Sequence, residues 1–287
     1  MTDSGKYHRR EILSIGAGSL CSGLLASDTQ AQDPLDPSRP TFDGKILMCG
    51  GGKLPDSLLD RFCELSNAQK STLVLIPTAS ERADSGDYSP WLELWKARGW
   101  RDVQVLHAMN KQDAESYAFG EQIQQAAAVW ITGGDQSRLS ERFCGTVLVE
   151  RLVQFLRRGG VLGGTSAGAA ILSKHMIAAG VDEPTMGQGF GLLPGTIIDQ
   201  HFTQKNRFAR LARAVTMHPN LLGIGIDEST GIQWSASQAT VLGTGQVHGY
   251  VAKGPVVRWS ADQSIDPKLW PGLFDLGWVS PKQASNK

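Results

Sequence analysis

The sequence predicts an α/β fold, a three-layer sandwich with a mainly parallel central sheet, and three observations carry that expectation. Short apolar runs at residues 46–49, 72–76, 103–106, 127–131 and 161–162 show little polar alternation, as strands buried on both faces do. Segments with helical spacing of apolar residues separate them, as crossovers between parallel strands require. Glycine concentrates where the runs end, at Gly50-Gly51-Gly52, Gly133-Gly134 and Gly163-Gly164, and right-handed crossovers line those turns along one sheet edge.

At 287 residues, 41% hydrophobic and 20% charged, the chain suits one large domain or two small ones with a sizeable core. Its formal net charge is zero, which removes any global electrostatic case for nucleic acid. Near the N-terminus, His8-Arg9-Arg10 precedes a weakly apolar run over 12–26, then polar Ser27-Asp28 and a small-x-small site, Thr29-Gln30-Ala31. That order predicts an export signal over 1–31, of the twin-arginine type, and a periplasmic or secreted protein. The run is too short and too rich in glycine for stable membrane insertion. Residues 32–42, with their Pro and Asp, read as a linker into one domain over 43–287. That domain keeps Cys49, Cys63 and Cys144, an odd set with neither a disulfide framework nor zinc spacing.

The elements follow in order. Leu58, Leu59, Phe62 and Leu65 place a helix after the first strand, and residues 88–98 a second, carrying Trp91, Leu92, Leu94 and Trp95. Helices are expected over 115–125 and 146–158, each leading to the next strand. The run at 161–162 enters Gly163-Gly164-Thr165-Ser166-Ala167-Gly168, and good helix formers over 169–176 predict a helix leading out. A strand around Ile197-Ile198, a helix over 204–217 and a strand over 222–226 come next. Short strands near 241–243, 250–251 and 256–257 read as additions to the same domain.

Gly164-x-Ser166-x-Gly168 at a strand-to-helix join fits a nucleophile elbow, whose tight turn tolerates only small flanking residues. A serine nucleophile needs a base, and the base needs an orienting group. The domain offers His107, His175, His201, His218 and His248; His201 leaves an apolar strand for a polar segment, and His107 ends the third strand. His175, nine residues along the expected helix, is out of reach of Ser166. Asp227 and Glu228 both fall at a strand end, and the residues alone do not choose between them. The N–H groups of Gly134 and Ala167 suit a developing oxyanion. The segment after His201 carries Lys205, Arg207, Arg210 and Arg213; it reads as a solvated basic face or as recognition of substrate carboxylates, with Arg207 best placed for the latter.

Five stretches together resemble the serine peptidase family that contains cyanophycinase and the aspartyl dipeptidases, nearest the cyanophycinase branch. They are Ile76-Pro77-Thr78-Ala79-Ser80; Thr132-Gly133-Gly134-Asp135-Gln136; Gly164-Thr165-Ser166-Ala167-Gly168-Ala169; Gly191-Leu192-Leu193-Pro194-Gly195 with Ile198-Asp199-Gln200-His201-Phe202; and Gly225-Ile226-Asp227-Glu228. The resemblance implies a fold similar to class I glutamine amidotransferases and a triad of Ser166, His201 and Glu228. It implies that Gln136, Asp199, Gln200 and Arg207 shape the substrate site, and that no metal or organic cofactor takes part. The implied activity is serine-type exopeptidase hydrolysis of β-aspartyl peptides such as cyanophycin or its fragments, through an acyl-enzyme. The partner is then a peptide with aspartyl groups, and a homodimer is compatible with this reading. Lys205 departs from the branch, which commonly carries arginine there. An α-aspartyl dipeptidase, a general esterase and a non-catalytic binding protein on the same fold are the alternatives.

Overall fold

Strand β1 (Lys45–Cys49) shows how the core is divided. Ile46 and Met48 bury on one face, while Leu47 and Cys49 bury on the other, as the two-residue period of a strand dictates. Strands β2 (Thr72–Ile76), β4 (Ala128–Ile131) and β5 (Val161–Thr165) repeat this two-sided burial. With β3 (Asp102–Val105) they form a parallel sheet in the order β1-β5-β4-β2-β3. The computed structural model describes residues 43–67, 71–235 and 238–265. The expected export signal and the linker lie outside the described residues.

Beyond β1 the sheet continues with β10 (Thr230–Ser235), β11 (Gln238–Gly243) and β14 (Ser264–Ile265), each antiparallel to its neighbour. Among the described residues the central sheet therefore has eight strands, five parallel and three forming an antiparallel flank. Helices α1 (Asp56–Ser66) and α2 (Ser89–Lys96) cover one face. There Phe62, Trp95 and Trp130 pack edge to face or tilted, with ring centroids 4.8–5.3 Å apart. Gly163 makes room for this cluster, because a Cβ there would lie 2.1 Å from the Trp130 ring.

The other face carries α4 (Gln136–Phe143), α5 (Val147–Arg157), α6 (Ala167–Ala170) and a second sheet. That sheet, ordered β13-β12-β9-β8, comprises β8 (Thr196–Gln200), β9 (Leu222–Ile226), β12 (Gln246–Tyr250) and β13 (Val257–Ser260). Ile198, Leu222, Ile224 and Ile226 face the shared core. On the sheet's far side Ile197 and Phe202 pack with Leu211, Ala214 and Val215 of helix α7 (Phe208–Met217). The strands expected over 222–226 and near 197–198 thus form a sheet of their own. A hairpin is formed by β6 (His175–Ala179) and β7 (Thr185–Gln188).

Several helices differ from the sequence reading. The helix expected over 169–176 stops at Ala170, because the carbonyls of Ile171 and Leu172 accept the N–H groups of Phe190 and Leu193 instead of continuing the helical ladder. His175 accordingly begins a strand. The helix expected over 115–125 resolves into α3 (Lys111–Glu115) and a 3-10 turn (Glu121–Gln124), separated at Gly120, whose φ is 79°. Helix α7 starts at Phe208, not near 204, since Asn206 at φ 50° interrupts the spiral. Helix α4 was not foreseen; its sequence is mostly polar, with Leu139 and Phe143 its apolar anchors.

Candidate active site

Three turns meet at the exit of β1. Consecutive carbonyls there hold one backbone amide from each: Ser166 N–H donates to Cys49 O at 2.9 Å, His201 N–H to Gly50 O at 2.7 Å, and Ser229 N–H to Gly51 O at 3.1 Å. Ser166 joins β5 to α6 with φ 51° and ψ −112°, a conformation costly for a side-chain-bearing residue. Close packing enforces it. A Cβ on Gly164 would lie 2.3 Å from the Gly168 carbonyl oxygen, and one on Gly168 would lie 2.3 Å from that of Ile131. His201, following β8, and Ser229, following β9, also have positive φ, at 48° and 56°.

The side chains form one hydrogen-bonded chain. Ser166 Oγ lies 2.8 Å from His201 Nε2, and His201 Nδ1 lies 2.6 Å from Glu228 Oε1. An ionised carboxylate can only accept, so the proton of the neutral ring sits on Nδ1 and Nε2 is left to receive the serine proton. Burial pushes the His201 pKa below its ordinary value; the bond to Glu228 opposes this, and Lys205 and Arg207 add to it. The ring is therefore neutral, able to accept a proton, around pH 7. The adjacent acids differ in what they bond. Asp227 spends its oxygens on the N–H groups of Thr203 and Gln246, each at 3.0 Å, while Glu228 reaches His201.

Bare glycine surfaces fit around these groups. A Cβ on Gly51 would lie 2.5 Å from His201 Cε1 and Nε2, and one on Gly52 would lie 2.6 Å from Glu228 Oε2. Gly133 abuts Ser166, whose Cβ would be 3.2 Å from a side chain there. At Gly134, φ is 141° and a Cβ would strike the Ala79 carbonyl at 2.2 Å; Asp135 N–H donates to the same oxygen at 2.9 Å. Ala167 is the first residue of α6, where an amide has no helical acceptor.

The remaining expected site residues form internal bonds. Asp199, 1% exposed, accepts from Arg210 Nε at 3.0 Å and from Arg207 Nη1 at 3.2 Å. Arg207 Nη1 also donates to the Gln200 carbonyl at 2.6 Å and to its side-chain oxygen. Asp199 and Gln200, immediately before His201, are thus joined to Arg207 beyond it. Gln136 lies on another element and donates to the carbonyls of Ile177 and Ala178 at 3.0 and 2.9 Å. Among the five histidines only His201 bonds to Ser166. His107 sits between Thr78 and Asp84, His175 stacks on His218 at 4.4 Å, and His248 is buried against Phe202. Sequence reasoning placed the three glycines after β1 on the site edge without their partners; Gln204, whose Oε1 accepts the Glu228 N–H at 2.9 Å, carried no signal. Among the described residues no group of three or more His, Cys, Asp or Glu is arranged to hold a metal ion, and no helix is long and apolar enough to cross a membrane.

Comparison with known proteins adds the lineage. The profile of Peptidase family S51 matches residues 46–242, most of the described domain. The chain belongs to peptidase family S51. It is a serine-type peptidase. A cyanophycinase from Geminocystis herdmanii is 38% identical over 215 residues, covering 70% of this chain and 78% of that one. A cyanophycinase from Synechococcus elongatus is 35% identical over 216 residues, covering 71% and 67%. Among solved structures, a peptidase from an acI-B1 Actinobacterium superposes with TM-score 0.60 at 24% identity, covering 79% of this chain and 98% of its own, and so shares the fold.

Proposed function

We propose that this S51 peptidase is a serine exopeptidase for β-aspartyl peptides such as cyanophycin or its fragments. The observation that carries the reading is the unbroken Ser166–His201–Glu228 chain with Ser166 held at φ 51° between strand and helix. In this reading the turn is a nucleophile elbow, in a three-layer fold similar to class I glutamine amidotransferases. Ser166 Oγ attacks the scissile carbonyl as His201 Nε2 takes its proton, and Glu228 steadies the imidazolium that forms. The N–H groups of Gly134 and Ala167 hold the oxyanion. His201 then protonates the leaving amine, and water, deprotonated by the same ring, cleaves the acyl-enzyme. Arg207, with Asp199 and Gln200 fixing its guanidinium, supplies positive charge for substrate carboxylates, and Gln136 shapes the substrate site through its bonds to the carbonyls of Ile177 and Ala178. The names of the cyanophycinase relatives support the substrate class.

The test incubates wild type and Ser166→Ala with cyanophycin, α- and β-aspartyl peptides and simple esters. The expected result is β-Asp-Arg release by wild type alone. Release by Ser166→Ala would remove the mechanism; hydrolysis of α-aspartyl dipeptides or esters alone would remove the substrate assignment. We also propose that residues 1–31 direct export, which N-terminal sequencing of the periplasmic or secreted form checks.

A further inference from the structure

The residue beside the proposed orienting acid has work of its own. Asp227 is buried and has no Lys or Arg ion-pair partner among the described residues; its oxygens accept Thr203 N–H, two residues past His201, and Gln246 N–H of β12. Phe202 N–H likewise donates to Ile226 O at 3.1 Å, and in the opposite direction Glu228 N–H donates to Gln204 Oε1 at 2.9 Å. The turn carrying His201 and the turn carrying Glu228 are thus cross-bonded in both directions. Each also contains a non-glycine residue at positive φ, His201 at 48° and Ser229 at 56°. Such conformations persist only where surrounding bonds over-determine them. The His201 Nδ1 to Glu228 Oε1 contact, 2.6 Å, spans the same two turns. The His248 ring backs this arrangement: it packs on Phe202 at 5.1 Å, and its Nε2 stands 4.0 Å from Asp227 Oδ1.

We propose that Asp227 and Gln204 are positioning residues that set the His201–Glu228 hydrogen bond. They touch no reacting atom. They act by fixing where the two turns meet, so their loss loosens proton acceptance by His201 while leaving the substrate side of the site intact. The proposal rests on Ser166, His201 and Glu228 being the catalytic groups, and its test does not depend on the peptide substrate.

Asp227→Asn places an NH2 donor against one of two N–H donors, and Gln204→Met removes an acceptor at nearly constant shape. Each variant is treated with a fluorophosphonate probe across a pH series, and the rate of Ser166 labelling is measured. The low-field proton of the His201–Glu228 bond is followed by NMR in parallel. The expected result is a labelling rate about 10²-fold below wild type for Asp227→Asn, the scale set by misplacing a reacting group by ~1 Å. A smaller loss is expected for Gln204→Met, with restoration in Gln204→Glu, which keeps the acceptor. The low-field proton weakens or disappears in Asp227→Asn while thermal unfolding stays cooperative. If Asp227→Asn does not fold, Gln204→Met and its rescue decide the matter. Wild-type labelling rate, pH midpoint and low-field proton in the folded variants would overturn the proposal. A wild-type protein whose Ser166 does not label would instead remove the catalytic reading on which it rests.

Discussion

Gly51→Ala tests the geometry of the site with one carbon atom. Gly51 has φ 100°, and a Cβ there would lie 2.5 Å from both Cε1 and Nε2 of His201. Carbon atoms in contact sit about 3.5–4.0 Å apart, so the ring or the loop must yield by ~1 Å. The Ser166 Oγ to Nε2 distance is 2.8 Å. A ring pushed away from the new methyl by that amount loses its hydrogen bond to the serine, whose useful range for such heavy atoms ends near ~3.2 Å. A displacement of this size costs about 10²-fold in rate. The same change also strains the backbone by roughly 1–3 kcal/mol, and a matched control separates the two effects. Gly86 has φ 76° but nothing within 4 Å of the position its Cβ would take. Gly86→Ala therefore suffers backbone strain without a clash. Fluorophosphonate labelling and peptide hydrolysis, read beside urea unfolding, distinguish them: both variants lose stability, and only Gly51→Ala loses rate. Equal rates in the two folded variants would refute the inferred contact between Gly51 and the imidazole.

Other expectations concern charge and core. Because the His201 pKa is depressed and catalysis needs the neutral ring, the acid limb of kcat/KM falls below pH ~6.5; Lys205→Ala removes a positive neighbour and moves that limb upward. Glu228→Gln takes away the interaction that raises the pKa, so the limb moves down while the rate falls about 10²–10⁴-fold, both read from a pH–rate profile. Asp84 is held well below the usual carboxylate range by Arg142 and Arg138, whose hydrogen bonds span 2.6–3.3 Å. Its contribution is present above an unfolded-state pKa of about 3.9 and is lost as pH falls toward the folded value. Urea titrations should show Asp84→Asn destabilised at neutral pH and converging on wild type in strong acid. Phe62→Ala, emptying the space between Trp95 and Trp130, should cost about 3–5 kcal/mol in the same assay.

The central strands were legible because runs such as Leu73-Val74-Leu75-Ile76 are apolar on both faces, which few other local structures tolerate. The tight turn at Ser166 was legible as well, since the glycines flanking it leave no room for a Cβ: Gly164 lies against the Gly168 carbonyl, and Gly168 against that of Ile131. What local pattern could not supply was competition from distant partners. Residues 171–176 are adequate helix formers, but Phe190 and Leu193 claim the carbonyls that a helix would need. The apolar pattern marks β9 as a strand without naming its sheet, and only its pairing with β8 and β12 reveals a second one. That Glu228 and not Asp227 reaches His201 likewise depends on amides of Thr203 and Gln246, which no spacing rule connects to it.

The row of carbonyls at Cys49, Gly50 and Gly51 bears on how the peptidase matures. These acceptors lie at the end of the first strand and in the turn that follows it, whereas their donors, at Ser166, His201 and Ser229, arrive progressively later in synthesis. A nascent chain that has not yet produced β9 has a serine and a histidine but lacks the carboxylate and the last of the three anchors. Hydrolytic competence in the proposed mechanism therefore comes late, after nearly the whole domain has left the ribosome.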